Sequence, residues 1–263
     1  MARTTDGVSW QRGTPIPYLA PQHVSCPSAT VCFAVGSDVI ERSSDLGASW
    51  RSVYSSAGKK LNAISCRSTE VCEAVGSDPR GTAMVAMGTT DGGVQWAEHT
   101  VSEPRGALED VSCPTTTTCE AVGEDGSIGV AYGTNDGGAH WVRQATFPSS
   151  GKLTLKGISC PTETTCIAVG GEGGRSYVIR TTDGGANWDP VSVPSVTNLL
   201  AVSCASDVTC EAVGVGTDGV TNRTLGTSEG GRVWQTHDLP ADVGPVRSIA
   251  CPDQGICFAV TAH

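Results

Sequence analysis

Aromatic side chains are scarce in this chain: Phe, Tyr and Trp make up 5 % of its 263 residues, so any hydrophobic core they build is thin. Helical periodicity is missing throughout, and no run of 18 apolar residues exists to form a membrane-spanning helix. Positive charge is also short, with 17 Lys and Arg against 27 Asp and Glu, a formal net charge of −10. That balance removes the basic footprint needed to hold nucleic acid or an anionic membrane surface. The five histidines, His23, His99, His140, His237 and His263, show no mutual spacing that suggests a metal site or a nucleophile–base pair. No cofactor or metal is therefore expected.

What is abundant is glycine, cysteine and repetition. An octapeptide typified by Thr181-Thr182-Asp183-Gly184-Gly185-Ala186-Asn187-Trp188 occurs six times. Its copies carry Asp6, Asp45, Asp91, Asp136, Asp183 and Glu229 at the acidic position. They end on Trp10, Trp50, Trp96, Trp141, Trp188 and Trp234, which uses every tryptophan. A short acidic side chain can accept amides of its own turn, and the next glycine reaches φ > 0 without steric cost. The tryptophan then starts a strand on which it can bury about 150–250 Å². Departures are mild: Leu46 and Val8 replace glycines, and Glu229, longer than the turn wants, should make the loosest copy.

The twelve cysteines fall as Cys26/Cys32, Cys66/Cys72, Cys113/Cys119, Cys160/Cys166, Cys204/Cys210 and Cys251/Cys257, always with five residues between. Zinc wants four ligands meeting at one point, and thioredoxin-type redox chemistry uses CxxC. Disulfides fit the spacing best, each contributing about 2 kcal/mol in the loop-entropy model. Repeated staples imply an oxidising compartment, hence a secreted or cell-surface protein. Met1-Ala2-Arg3 runs straight into the first octapeptide, so export expects a leader removed from this chain.

Intervals between successive first cysteines are 40, 47, 47, 44 and 47 residues, the period of a four-stranded propeller blade. Each repeat reads as an apolar strand ending in a Cys, a hairpin to Cys-x-Ala-Val-Gly, a variable loop, a third strand, the octapeptide turn and a fourth strand. The expected fold is all-β: a six-bladed β-propeller of four-stranded antiparallel blades with one disulfide per blade. Residues 1–263 form a single domain, with blades at about 18–57, 58–103, 104–149, 150–195 and 196–245. The sixth is shared by residues 1–17 and 246–263, closing the ring by pairing Met1-Ala2-Arg3 with Phe258-Ala259-Val260 and removing exposed sheet edges. The alternative is five blades with two loose ends.

The octapeptide resembles the Asp-box, or BNR repeat, of sialidases, Asp-box glycoside hydrolases, sortilin-type receptors and photosystem II assembly-factor propellers, in a bacterial secreted form. The resemblance implies a structural turn between third and fourth strands, on the face away from a functional site. The arginine triad and Arg-Ile-Pro segment of sialidases have no counterpart, since Arg3, Arg42 and Arg180 simply lead into octapeptides.

Function is expected where the copies differ. From the Gly of Ala-Val-Gly to the next acidic position the chain runs 9 residues at Gly36 but 13 to 15 elsewhere. The blade at 18–57 should thus have the lowest rim, with a groove bounded by longer loops carrying Asp78, Arg80 and Asp218. Four residues before each first cysteine, near the channel mouth, stand Gln22, Asn62, Glu109, Lys156, Leu200 and Arg247, followed by His23, Ala63, Asp110, Gly157, Ala201 and Ser248. The candidate ligand-binding set is His23, Asn62, Asp78, Arg80, Glu109, Asp110, Lys156, Asp218 and Arg247, convergent polar groups of the kind a small-ligand site needs. The plainer reading is that the charged members pair with one another. Glu73, Glu120 and Glu211, each after a second cysteine, share a position with Phe33, Ile167 and Phe258 and read as half-exposed sheet sites.

Two function classes remain. One is a monomeric recognition or scaffold module binding a glycan, peptide or protein on its variable face. The other is a glycan-active enzyme, hydrolase or lyase, using rim carboxylates about 5–9 Å apart. With every Trp committed to a turn, six equal sugar-stacking sites are disfavoured.

Overall fold

In the computed structural model the described residues are 2–3, 11–12, 21–55, 58–148, 150–194, 197–215, 222–239, 243 and 246–261. They form β-structure without a helix, and hence no helix long and apolar enough to cross a membrane. Asp218 and Trp10 lie outside them.

Five meandering antiparallel sheets follow one another along the chain, each with its strands, here a to d, in chain order. The first is His23–Ser25, Cys32–Gly36, Val39–Ser43 and Arg51–Ser55. The second is Lys60–Cys66, Cys72–Ser77, Met84–Thr89 and Ala97–Glu98. The third, Ala107–Ser112, Cys119–Asp125, Ile128–Thr134 and His140–Phe147, takes a parallel fifth strand, Thr100–Val101, on its outer edge. The fourth is Leu153–Ser159, Cys166–Glu172, Arg175–Thr181 and Asp189–Val191. The fifth is Thr197–Cys204, Cys210–Val215, Asn222–Thr227 and Gln235–Asp238.

Two hairpins complete the set: Ala2–Arg3 with Gln11–Arg12, and Val246–Asp253 with Ile256–Thr261. Their registers are those of half a sheet each. Arg3 faces Gln11 as Gly88 faces Ala97, and Ala250 faces Phe258 as Ser203 faces Glu211. The hairpins stand as separate sheets: among the described residues the expected ladder between 1–3 and 258–260 is not formed by Ala2–Arg3, and Met1 lies outside them. Along Ile256–Thr261, Cys257 and Ala259 are exposed, whereas their counterparts Cys210 and Ala212 in the fifth sheet are buried.

The b strands read Cys-x-Ala-Val-Gly because sheets pack on both their faces: Cys32–Gly36 and Cys72–Ser77 are buried at every residue. Between consecutive sheets lie four apolar layers. Phe33 and Met87 share the first, Tyr132 and Trp141 the second, Ile179 and Trp188 the third, Leu225 and Trp234 the fourth. A single tryptophan from the later sheet thus fills each layer's thin core, which is why one per repeat suffices.

All six expected disulfides are formed and no cysteine is free. A second link joins neighbouring sheets. The serine before each first cysteine accepts the amide of the next sheet's first cysteine: Cys66 on Ser25 (3.0 Å), Cys113 on Ser65 (3.1 Å), Cys160 on Ser112 (3.0 Å), Cys204 on Ser159 (3.0 Å) and Cys251 on Ser203 (2.9 Å). The sixth serine is absent from the sequence, where Ala250 precedes Cys251.

The octapeptide turns behave as their chemistry requires. Thr89, Thr134 and Thr181 donate to Asp91, Asp136 and Asp183 at 2.8, 2.8 and 2.9 Å, and each carboxylate also accepts an amide three or four residues on. The hydrogen bonds from Ser49 and His140 hold Asp45 and Asp136 down to a pKa of about 2. Among the described residues the Glu229 turn keeps the Thr227 contacts to the amides of Glu229 and Gly231 but shows no carboxylate bond, so this copy is the least tied.

Ser112→Ala or Ser159→Ala, which strands a part-buried cysteine amide, should destabilise the fold by about 1–3 kcal/mol in urea unfolding. Loss within about 0.3 kcal/mol of zero at both sites would show that these contacts do not join the sheets.

Candidate functional site

The polar ring at the inner end of the sheets is built by β-bulges. In strand a of the second, third and fourth sheets the register slips at Asn62, Glu109 and Lys156, so two residues oppose one. The same slip occurs around Leu200 and Arg247. A bulge re-aims the extra side chain. The partner opposite each slip is the Gly of Ala-Val-Gly: Leu61 pairs Gly76, Leu108 pairs Gly123 and Leu155 pairs Gly170. A Cβ at any of these glycines would run into the strand a carbonyl beside it, which explains the invariable glycine in these sheets.

The bulged residues tie inner strands together. Asn62 Nδ2 donates to the Leu108 carbonyl at 2.8 Å, and Lys156 Nζ meets Glu109 Oε2 at 3.1 Å. Asp110 reaches furthest: it accepts the amides of Val111 and Ile158, both at 2.8 Å, and its Oδ1 lies 3.8 Å from His23 Nε2. One carboxylate thus spans the first, third and fourth sheets. Burial raises its pKa, against which His23 and the two amides work. At Gly157 the fourth and fifth sheets come so close that a Cβ would sit 2.9 Å from Ala201 Cα.

Of the sequence-derived set, the structure therefore brings His23, Asn62, Glu109, Asp110 and Lys156 together, largely paired with one another. Arg247 is exposed on the C-terminal hairpin. Asp78 shapes its own loop, accepting the amides of Thr82 and Ala83 at 2.6 and 3.0 Å, bonds that lower its pKa, while Arg80 is exposed beside it. In the first sheet strand b ends at Gly36 and turns through Ser37-Asp38, whereas in the third and fourth sheets it runs on to Asp125 and Glu172, two residues past the equivalent glycine. Neighbouring rim carboxylates are likewise tied: Asp125 to Arg143 at 3.0 Å, Glu124 to Lys152 at 2.9 Å, and Glu172 to Ser150 and the Gly151 amide. Arg143 also donates to the Tyr132 hydroxyl at 2.8 Å and the Glu103 carbonyl at 3.1 Å, locking strand d to the third sheet's loops.

Glu73 and Glu120 correct the sequence reading: they are buried, whereas Glu211 is part-buried as expected, and His99, Gln144 and His237 lie against the three carboxylates. His99 Nδ1 lies 3.1 Å from Glu73, His237 3.8 Å from Glu211, and Gln144 Nε2 donates to Glu120 at 3.0 Å. The next sheet's octapeptide presses on this position, since a Cβ on Gly138 would strike the Glu73 carboxylate. A lone sequence hides this, because the covering turn comes from a different repeat. Glu120 has a neutral amide where its siblings have histidine, and burial pushes its pKa up to about 8. It lines a cavity of about 240 Å³ with Thr118, Asp136, His140 and Gln144.

No family model matches the chain, and no curated protein does. Solved structures do. YCF48 bound to a D1 peptide matches with a TM-score of 0.58 and 15 % identity over 93 % of this chain and 89 % of that one. YCF48 from Cyanidioschyzon merolae matches at 0.63 and 16 %, over 90 % and 78 %. The GH74 enzyme of Niastella koreensis matches at 0.65 and 13 %, over 88 % of this chain but 42 % of its own length. At such identities the likeness shows the fold, a β-propeller.

Because the Glu120 carboxyl titrates higher folded than unfolded, its contribution is intact below pH 4.5 and is lost as pH rises to about 8. Glu120→Gln should match the parent at pH 4 and exceed it by more than about 1 kcal/mol at pH 8.5 in denaturant unfolding. Parallel stability profiles across that range would contradict the burial argument.

Proposed function

We propose that this chain is an exported recognition or scaffold module, a six-bladed ring whose variable loop face binds a peptide segment of a partner protein at the channel mouth. Six disulfides support an oxidising, extracytoplasmic setting. The observation that carries the reading is the state of the mouth and rim carboxylates. Glu109, Asp110, Asp78, Glu124, Asp125 and Glu172 each hold a loop or a neighbouring strand, the work of a rigid binding surface rather than of an acid–base pair. The mouth is asymmetric, with part-exposed Lys156 and exposed Arg247 offering cationic donors to carbonyls or carboxylates of an extended peptide. Trp141, Trp188 and Trp234 are buried in layers, which speaks against sugar stacking. The peptide-bound YCF48 structure matches this chain over most of both lengths, which favours a peptide over a glycan.

The second reading, a glycan-active enzyme, draws on the GH74 likeness, although the chain spans 31–43 % of those enzymes. Screening the protein against peptide and glycan arrays and against chromogenic glycosides separates the two. The proposal expects peptide binding without turnover, weakened about tenfold or more by Lys156→Ala combined with Arg247→Ala, the scale of losing one or two charge-assisted hydrogen bonds. Glycoside turnover that Glu109→Gln abolishes, with no peptide bound, would replace it with the enzyme reading.

A further inference from the structure

Three sheets carry a glutamate after the second cysteine, and in each the residue three positions past the octapeptide tryptophan answers it. His99 answers Glu73, His237 answers Glu211 and Gln144 answers Glu120. Where the glutamate is replaced by Phe33 or Ile167, the answering residue is Val53 or Val191, apolar as well. The scaffold thus builds a basic partner for two of its carboxyls and a neutral amide for the third. Burial raises the pKa of all three; a histidine works against it at Glu73 and Glu211, and the Gln144 amide does so at Glu120.

Glu120 is left incomplete. It is 2 % exposed; Oε1 accepts the Gln144 amide, and Oε2 is buried with no hydrogen-bond partner among the described residues. Gln144 is engaged at both ends, its Oε1 accepting Trp188 Nε1 at 3.0 Å. At the neighbouring junction the octapeptide glycine Gly138 closes directly on the Glu73 carboxylate. Its counterpart Gly185 closes on Gln144 instead, so the amide stands between Glu120 and the turn that seals its sibling.

The cavity of about 240 Å³ that Glu120 lines also has Asp136, His140 and Val142 on its walls, all three exposed, and neither lysine nor arginine among its lining residues. Drug-sized ligands occupy about 300–1,000 Å³, so this space suits a group the size of one side chain. An ionised carboxylate buried without a counter-charge is costly, and a cation brought by a ligand offsets that cost. A metal ion is a poor candidate: among the described residues no three His, Cys, Asp or Glu side chains group so as to hold one. A guanidinium pairs best with both oxygens of a carboxylate, and Gln144 already occupies one. An ammonium is a point charge that needs only Oε2, and Val142 gives its alkyl chain an apolar wall.

The geometry points to this cavity as a binding site for an alkylammonium group, that of a lysine side chain in a partner protein or of a free amine, with its charged head on Glu120 Oε2. Glu120 opens strand b beside the Cys113–Cys119 disulfide, three residues from Gly123 and the bulge, about 10 Å along the strand. The site therefore lies toward the other end of the sheet from the channel mouth and is independent of the peptide reading there.

Calorimetric titration of the full chain with N-acetyl-lysine methylamide tests the assignment, beside n-butylamine and the N-acetyl methylamides of arginine and norleucine. The lysine compound should bind at a single site. Its affinity should rise at least about tenfold from pH 6 to pH 8.5, as Glu120 ionises while the amine, with a pKa of about 10.4, keeps its charge. Glu120→Gln, a variant expected to fold at least as stably as the parent, should lower the affinity about tenfold or more by removing the counter-charge. Gln144→His should do likewise, since it gives Glu120 the partner that its siblings have. Like affinity for n-butylamine assigns the site to amines in general, and an affinity for the lysine compound about tenfold higher assigns it to a peptide lysine. The inference is overturned by absence of saturable binding of both amines, or by arginine or norleucine compounds binding as tightly as the lysine one. Affinity that is indifferent to Glu120→Gln overturns it as well.

Discussion

The contact on which the rest depends is small: a serine hydroxyl of one sheet accepting the cysteine amide of the next, repeated at five junctions. A single four-stranded sheet of this composition has two apolar faces and few aromatics with which to cover them. It becomes stable by sharing each face with a neighbour, and the shared layer must hold a fixed angle and register for one tryptophan to fill it. The clasp sets that register at the inner end of the sheet. The adjacent disulfide, closing strands a and b at the same cysteine, fixes where the clasped amide stands. Disulfide, clasp and tryptophan are therefore three anchors along one sheet.

The same inner strands make the site. A bulge one turn of the pleat before the serine re-aims Asn62, Glu109 and Lys156, and the glycine opposite makes room for the slip. Rigidity from the clasps lets a buried carboxylate such as Asp110 hold amides from two sheets and a histidine from a third without collapsing the channel. Charged groups so placed are expensive to bury and well paired, which gives a preformed polar surface with little freedom left for proton transfer.

Much of this was readable from one sequence, for identifiable reasons. The CxxxxxC spacing and its period are local and forced both the disulfides and the four-stranded unit. The octapeptide's turn chemistry is also local. What escaped were contacts between repeats. Ser25, Ser65, Ser112, Ser159 and Ser203 look like strand ends until the next sheet is beside them. Glu73 and Glu120 look half-exposed because the turns that press on them and on Gln144 belong to the following repeat. The bulges were invisible because a one-residue slip leaves the alternation on either side intact.

Amide hydrogen exchange on the oxidised protein tests the central claim most directly, read at the first cysteine of each pair. If the hydroxyl clasps hold the sheets in register, the amides of Cys66, Cys113, Cys160, Cys204 and Cys251 should exchange together and slowly, and that of Cys26, for which the sequence has Ala250 in place of a sixth serine, should exchange fastest. Equal protection at all six, or five clasped amides exchanging as freely as Cys26, would contradict the account.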